Sequence, residues 1–131
     1  MKTLKKKIVM ILEKTDTGFS AYASKYPIYT MGKTIAELLD NAFEAANLYF
    51  EEEKIIVPHD SIKFEIDFKQ FFKNYRVLNS KFLAKRIGMN PTLLSQYVQG
   101  HKKPSSTQRD KILYGIQQIG HELSQINLIQ Q

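Results

Sequence analysis

The sequence predicts an α+β domain over residues 1–70 followed by an all-α domain over residues 71–131. Three observations carry this. Ile62, Phe64, Ile66 and Phe68 alternate with Lys63, Glu65, Asp67 and Lys69, the period of a strand with one buried face. Ile35, Leu38, Leu39, Ala42, Ala46 and Tyr49 recur at helical spacing, as an amphipathic helix requires. Asn79 to Ser106 reads as two short helices joined by a tight turn and followed by a basic loop.

Composition sets the outer limits. The hydrophobic and charged fractions, 43% and 24%, are those of a folded globular chain. Cysteine is absent, which excludes disulfides and thiolate metal sites. The start, MKTLKKKIVMIL, imitates a signal peptide, but its apolar run is only Ile8 to Leu12, too short for export or for spanning a bilayer. A cytoplasmic protein without a membrane partner is expected. The net charge of +6 is unevenly spread: residues 1–70 hold ten Lys or Arg against eleven Asp or Glu, and residues 71–131 hold nine against two. A basic half beside a near-neutral half suits a nucleic-acid-binding module joined to a second function.

In chain order, Lys7 to Lys14 is strongly apolar and β-branched and predicts a strand with both faces at least partly covered. Asp16-Thr17-Gly18 is turn chemistry. Phe19, Ala21 and Ala23 then alternate with Ser20, Tyr22 and Ser24, closing a hairpin. Ile28 to Met31 predicts a third short strand ended by Gly32. Thr34 and Glu37 form a capping box for a helix reaching about Glu52, and the alternating strand at Ile62 follows. The expected order is strand, strand, strand, helix, strand: a small βββαβ sheet domain.

One stripe of that helix is acidic: Glu37, Asp40, Glu44 and Glu51. Like charges three or four residues apart cost a helix roughly 0.2–0.5 kcal/mol per pair, so the stripe does not serve the helix. It is either a solvated face or a docking face for a basic partner.

In the second half, Phe71, Phe72 and Tyr75 predict a leading helix packed against the two-helix motif. Asn79 or Ser80 caps the first motif helix, whose apolar positions are Phe82, Leu83 and Ile87, and Gly88 closes it. Asn90 caps the second, with Pro91 at its first position and Leu94 and Val98 inward beside Tyr97. Asn90, Thr92, Ser95, Gln96 and Gln99 are then the candidate base contacts, because amide side chains make paired bonds to adenine and threonine offers a methyl to thymine. Gln96 is the leading candidate. Lys81, Lys85, His101, Lys102, Lys103, Ser105 and Arg109 are the candidate phosphate contacts, which position a module without specifying sequence. Ser106 or Thr107 caps a last helix whose residues Ile112, Ile116, Ile119, Leu123 and Ile126 lie close to a heptad seam. Its first half suits the core and its second half a dimer contact, since such modules read paired half-sites one helical turn apart.

The stretch L-A-K-R-I-G-M-N-P-T-L-L-S-Q-Y-V-Q-G-x-K-K-P-S resembles the helix-turn-helix of phage-repressor-type DNA-binding proteins. The whole order, from the hairpin Ile8–Ser24 through Ile28-Tyr29-Thr30-Met31-Gly32 and the helix Ile35–Ala42 to that motif, resembles the HicB family of type II antitoxins. The common family form has a longer hairpin turn and a Pro-Gly before the third strand, where this chain has Lys25-Tyr26-Pro27. The resemblance implies a partial, degenerate ribonuclease-H-like domain that binds and neutralises a small HicA-type mRNA-cleaving toxin, and the stripe Glu37, Asp40, Glu44 and Glu51 is the candidate face for such a basic partner. It also implies repression of the operon through operator DNA.

No catalytic function is expected. Ribonuclease-H chemistry needs clustered carboxylates around two metal ions, whereas Glu13 ends the first strand and Asp16 lies in a turn. His59, His101 and His121 are scattered and show no ligand spacing, so neither a metal nor a cofactor is expected. The alternative function is a stand-alone helix-turn-helix regulator whose first domain binds a small ligand.

Overall fold

A computed structural model describes residues 2–128 of the chain as a mixture of helices and small sheets. It divides into two compact units, Met1–Asn74 and Tyr75–Gln131.

The first unit contains β1 (Lys2–Thr3), β2 (Ile8–Lys14), β3 (Phe19–Ala23), β4 (Tyr29–Gly32), α1 (Ile35–Tyr49), β5 (Ile55–Ile56), β6 (Ile62–Ile66) and α2 (Phe68–Asn74). Four strands form one sheet in the order β4-β3-β2-β6. The β2–β3 and β3–β4 pairs are antiparallel, and β2 and β6 run parallel. A parallel pair needs a crossover, and α1 lies within it. Its buried residues Leu38, Ala42 and Ala46 share one core with Ile8, Met10, Leu12, Ala21, Ala23 and Ile62. The two alanines let the helix axis lie close to the sheet.

The ends of these elements differ from the sequence reading in four places. The pair β1–β5, joined in parallel as Lys2↔Ile55 and Thr3↔Ile56, has no periodic signal because it is two residues long. Helix α1 stops at Tyr49 rather than near Glu52. Phe50 turns into the core beside Tyr26 and Tyr49, and Glu51–Glu53 would oppose the dipole of any further turn. Strand β6 stops at Ile66, so Phe68 opens a helix rather than extending the alternation. That helix, α2, belongs to the first unit and not, as expected, to the second. The Gln70 side-chain amide accepts from the Lys14 backbone N–H at 2.9 Å and donates to its carbonyl, continuing the sheet where β6 has ended. Asn74 donates to the same carbonyl at 3.3 Å.

The second unit contains α3 (Ser80–Ile87), α4 (Pro91–Val98) and α5 (Ser106–Ser124), around Leu83, Ala84, Met89, Leu94, Tyr97 and Ile112. The Asn79 Oδ1 caps α3 by accepting from the Phe82 N–H at 3.2 Å. Gly88 ends α3 in the left-handed region, φ 69°, and the next N–H, of Met89, returns to the Ala84 carbonyl at 2.8 Å. Of the expected apolar positions, Leu83 is buried but Phe82 is 63% exposed. Neighbours in a helix diverge by about 100°, so only one of the two faces inward.

Helix α5 starts at Ser106 and is capped not by Ser106 or Thr107 but by the Ser105 hydroxyl, which accepts from Gln108 N–H at 3.2 Å. Ile112 is fully buried, Ile116 and Ile119 are half-buried, and Leu123 and Ile126 are exposed. Its two glycines have opposite roles. A Cβ on Gly115 would collide with the Ile87 Cγ2 methyl, so this glycine sets the approach of α5 to α3. Gly120 has no atom within 4 Å of its would-be Cβ. Gly115→Ala is therefore expected to destabilise by about 1–3 kcal/mol through overpacking. Gly120→Ala is expected to stabilise by about 1 kcal/mol through helix propensity. Thermal melts of the two single variants check the opposite signs.

Candidate nucleic-acid interface

Helix α4 is the centre of the candidate interface, and its ends are fixed by local chemistry. Asn90 Oδ1 accepts from the Thr92 N–H at 2.8 Å and the Leu93 N–H at 3.3 Å. Pro91 occupies the first helical position, where its missing N–H has no partner to lose. Leu94 and Tyr97 anchor the inner face, while Val98 is half-buried. The outer face carries exposed Thr92 and Gln99, and half-buried Ser95 and Gln96.

The basic loop is tied to the end of this helix. Gly100, at φ 79°, reverses the chain. The N–H groups of His101 and Lys102 then donate to the Gln96 carbonyl at 2.9 and 3.3 Å. His101, Lys102 and Lys103 are exposed, so the loop carries its charges beside the C-terminal end of α4. On α3, Lys81 and Lys85 are exposed, and the Lys85 ammonium lies 5.4 Å from the Phe82 ring centroid. Arg86 forms an ion pair with Glu122, which removes one cation from the set open to phosphates.

Two expected contacts, Arg109 and Asn90, change. Arg109 is 9% exposed and lies on the inner face of α5, three residues before the fully buried Ile112, so its guanidinium is not presented to a surface phosphate. The Ser105 oxygen accepts as the cap of α5, which leaves its O–H as a donor, so it stays a phosphate candidate. Asn90 has both lone pairs of its amide oxygen occupied by capping N–H groups, and the paired adenine contact, which needs that oxygen as an acceptor, is closed to it. Thr92, Ser95, Gln96 and Gln99 stay together on the outer face of α4.

On α1, the expected acidic stripe is shorter than the sequence suggested. Glu37 accepts from the Lys33 N–H at 3.3 Å while its own N–H donates to the Thr34 hydroxyl at 3.1 Å, so it serves the helix N-terminus. Asp40 and Glu44 are exposed on α1, whereas Glu51 lies beyond its last turn. The signal missed in the sequence was on the strands. Tyr22, Tyr29 and Met31, on the sheet face opposite α1, are 39%, 61% and 57% exposed. A tyrosine on the polar side of one strand, facing a Tyr-x-Met on the next, was the legible trace.

A groove of about 340 Å³ at the edge of the first unit is lined by Thr15, Thr17, Phe19, Met31, Gly32, Lys33 and Glu37. Its lining exposes more apolar than polar surface, as the walls of small-molecule sites do. His59 packs on the Phe43 ring, with centroids 3.9 Å apart. Among the described residues, no group of three or more His, Cys, Asp or Glu is placed to hold a metal ion. Among the same residues, no helix is long and apolar enough to cross a membrane. Compared with models of protein families and with curated proteins, the chain matches none.

Proposed function

We propose that this chain is a HicB-type antitoxin: its first unit neutralises a small basic, mRNA-cleaving toxin, and its second represses the operon by binding operator DNA. The observation that carries the DNA-binding half is the junction from Gly88 to Lys103. A left-handed glycine and an asparagine cap set α4 against α3, and the lysine loop folds back onto the Gln96 carbonyl. A short helix with polar outer residues, flanked by cations, is the form in which such modules enter a major groove. The charge division supports the pairing of roles, since a near-neutral unit with exposed carboxylates suits a cationic partner.

Self-association completes the reading. Leu123, 60% exposed, continues the α5 stripe beyond the core, Ile126, 63% exposed, follows just past the helix end, and a dimer would present two copies of α4 to paired half-sites. The stand-alone regulator rests on the groove at the edge of the first unit, whose largely apolar lining suits a small ligand. In this reading the first unit is a partial ribonuclease-H-like domain with a binding rather than a catalytic role, and the protein works in the cytoplasm without a cofactor.

Co-expression with the product of the neighbouring short reading frame tests the proposal. A stable complex and relief of growth arrest are expected; no interaction would transfer the reading to the stand-alone regulator.

A further inference from the structure

We infer that the basic partner docks on the sheet face turned away from α1, around Tyr22, Tyr29 and Met31, and not on the acidic side of α1. This inference rests on the antitoxin reading and names the surface that reading requires.

The register places the residues together. Tyr29 lies directly opposite Tyr22, and Tyr22 opposite Ile11. In the adjoining row, Met31 lies opposite Ser20, and Ser20 opposite Glu13. Ser20 is 5% exposed and forms the floor between larger neighbours. The β4 side of the face is therefore apolar and aromatic, with Met31 and two tyrosines open to solvent. The β2–β6 side carries three carboxylates, Glu13, Glu65 opposite Ile11 and Asp67 just past the end of β6, against one ammonium, Lys63 opposite Val9. Burial, and then the carboxylates of Glu13 and Asp67, push the Tyr22 hydroxyl above the usual phenol range. Those carboxylates thus act on the middle of the patch.

Aromatic and methionine side chains are enriched at interface centres, with charge at the rim. Contiguous exposed apolar groups on a small unit mark interaction sites. The acidic flank selects a cationic protein and disfavours a second copy, whose own Glu13 and Asp67 would approach the same carboxylates. Helix α1 offers less: Glu37 is engaged at the cap, and its exposed apolar residues are split between Ile35 at one end and Leu48 and Tyr49 at the other, more than three turns away.

The test uses the full chain and the product of the neighbouring reading frame, titrated with three variants. Tyr29→Ser with Met31→Ser is expected to weaken the complex by roughly 100-fold, as loss of two central anchors does, with an unchanged melting temperature. Glu13→Lys, which leaves the apolar patch intact, is expected to slow association and reduce its salt dependence. Asp40→Asn with Glu44→Gln is expected to leave affinity within about threefold, as rim charges usually do. The inference is overturned if the helix pair carries the loss, or if the sheet variants bind as the wild type does. It is also overturned if Tyr29→Ser with Met31→Ser converts a dimer into a monomer, which would make the face a contact between copies. A wild-type chain that binds no product of that frame would instead remove the antitoxin reading itself.

Discussion

Leu94→Ala is expected to cost the second unit about 3–5 kcal/mol, the range for truncating a fully buried leucine that its surroundings cannot refill. Leu94 has no exposed surface and is among the largest fully buried side chains of the chain. It also anchors the inner face of α4, so its loss acts on the helix that carries Thr92, Ser95, Gln96 and Gln99. Stability of roughly 0.05–0.15 kcal/mol per residue gives a unit of this size little reserve. Hydrogen exchange followed segment by segment is expected to show α3, α4 and α5 losing protection while β2 and β6 keep theirs. A loss below about 1 kcal/mol would mean that the site collapses around the missing methyls and that α4 is not held as described.

Lys102→Ala with Lys103→Ala is expected to lower the slope of log affinity against log salt by about 1.8, from a slope of roughly 0.9 per neutralised phosphate. The basis is positional: the loop is hydrogen-bonded to the Gln96 carbonyl, so both lysines travel with α4. Arg109→Ala is the contrasting variant. Its burial predicts a drop in melting temperature with the salt slope retained. Fluorescence anisotropy on a duplex at four salt concentrations checks both. An unchanged slope for the lysine pair would remove the loop from the interface, and a shallower slope for Arg109→Ala would return that residue to it.

The legible parts of the fold are those where a local rule and the tertiary packing agree. The alternation at Ile62 to Ile66, the spacing from Ile35 to Ala46, and the caps at Thr34, Asn79 and Asn90 each state a local preference that burial then satisfies. The illegible parts depend on distant partners. Lys2 and Thr3 become a strand only because Ile55 and Ile56 arrive beside them. Gln70 binds α2 to the first unit through a side-chain amide on Lys14, 56 residues earlier, which no periodicity encodes.

The candidate site divides in the same way. Helix faces predicted which residues of α4 point outward. They did not show that Asn90 is engaged by its own helix, nor that Arg109 turns inward. A basic residue in the first turn of a helix looks like a phosphate contact by composition, and only burial separates the two roles. The acidic stripe drew attention to α1, while the apolar patch on β3 and β4 was split between two strands and became visible only through their register.

Selection of bound duplexes from a random pool, run with the wild type and with Gln96→Ala, is the most direct measurement. The account predicts enrichment of a pseudo-palindrome with half-sites about one helical turn apart, and relaxed preference at one base pair per half-site for Gln96→Ala. A pool that stays random after selection at moderate salt would contradict it.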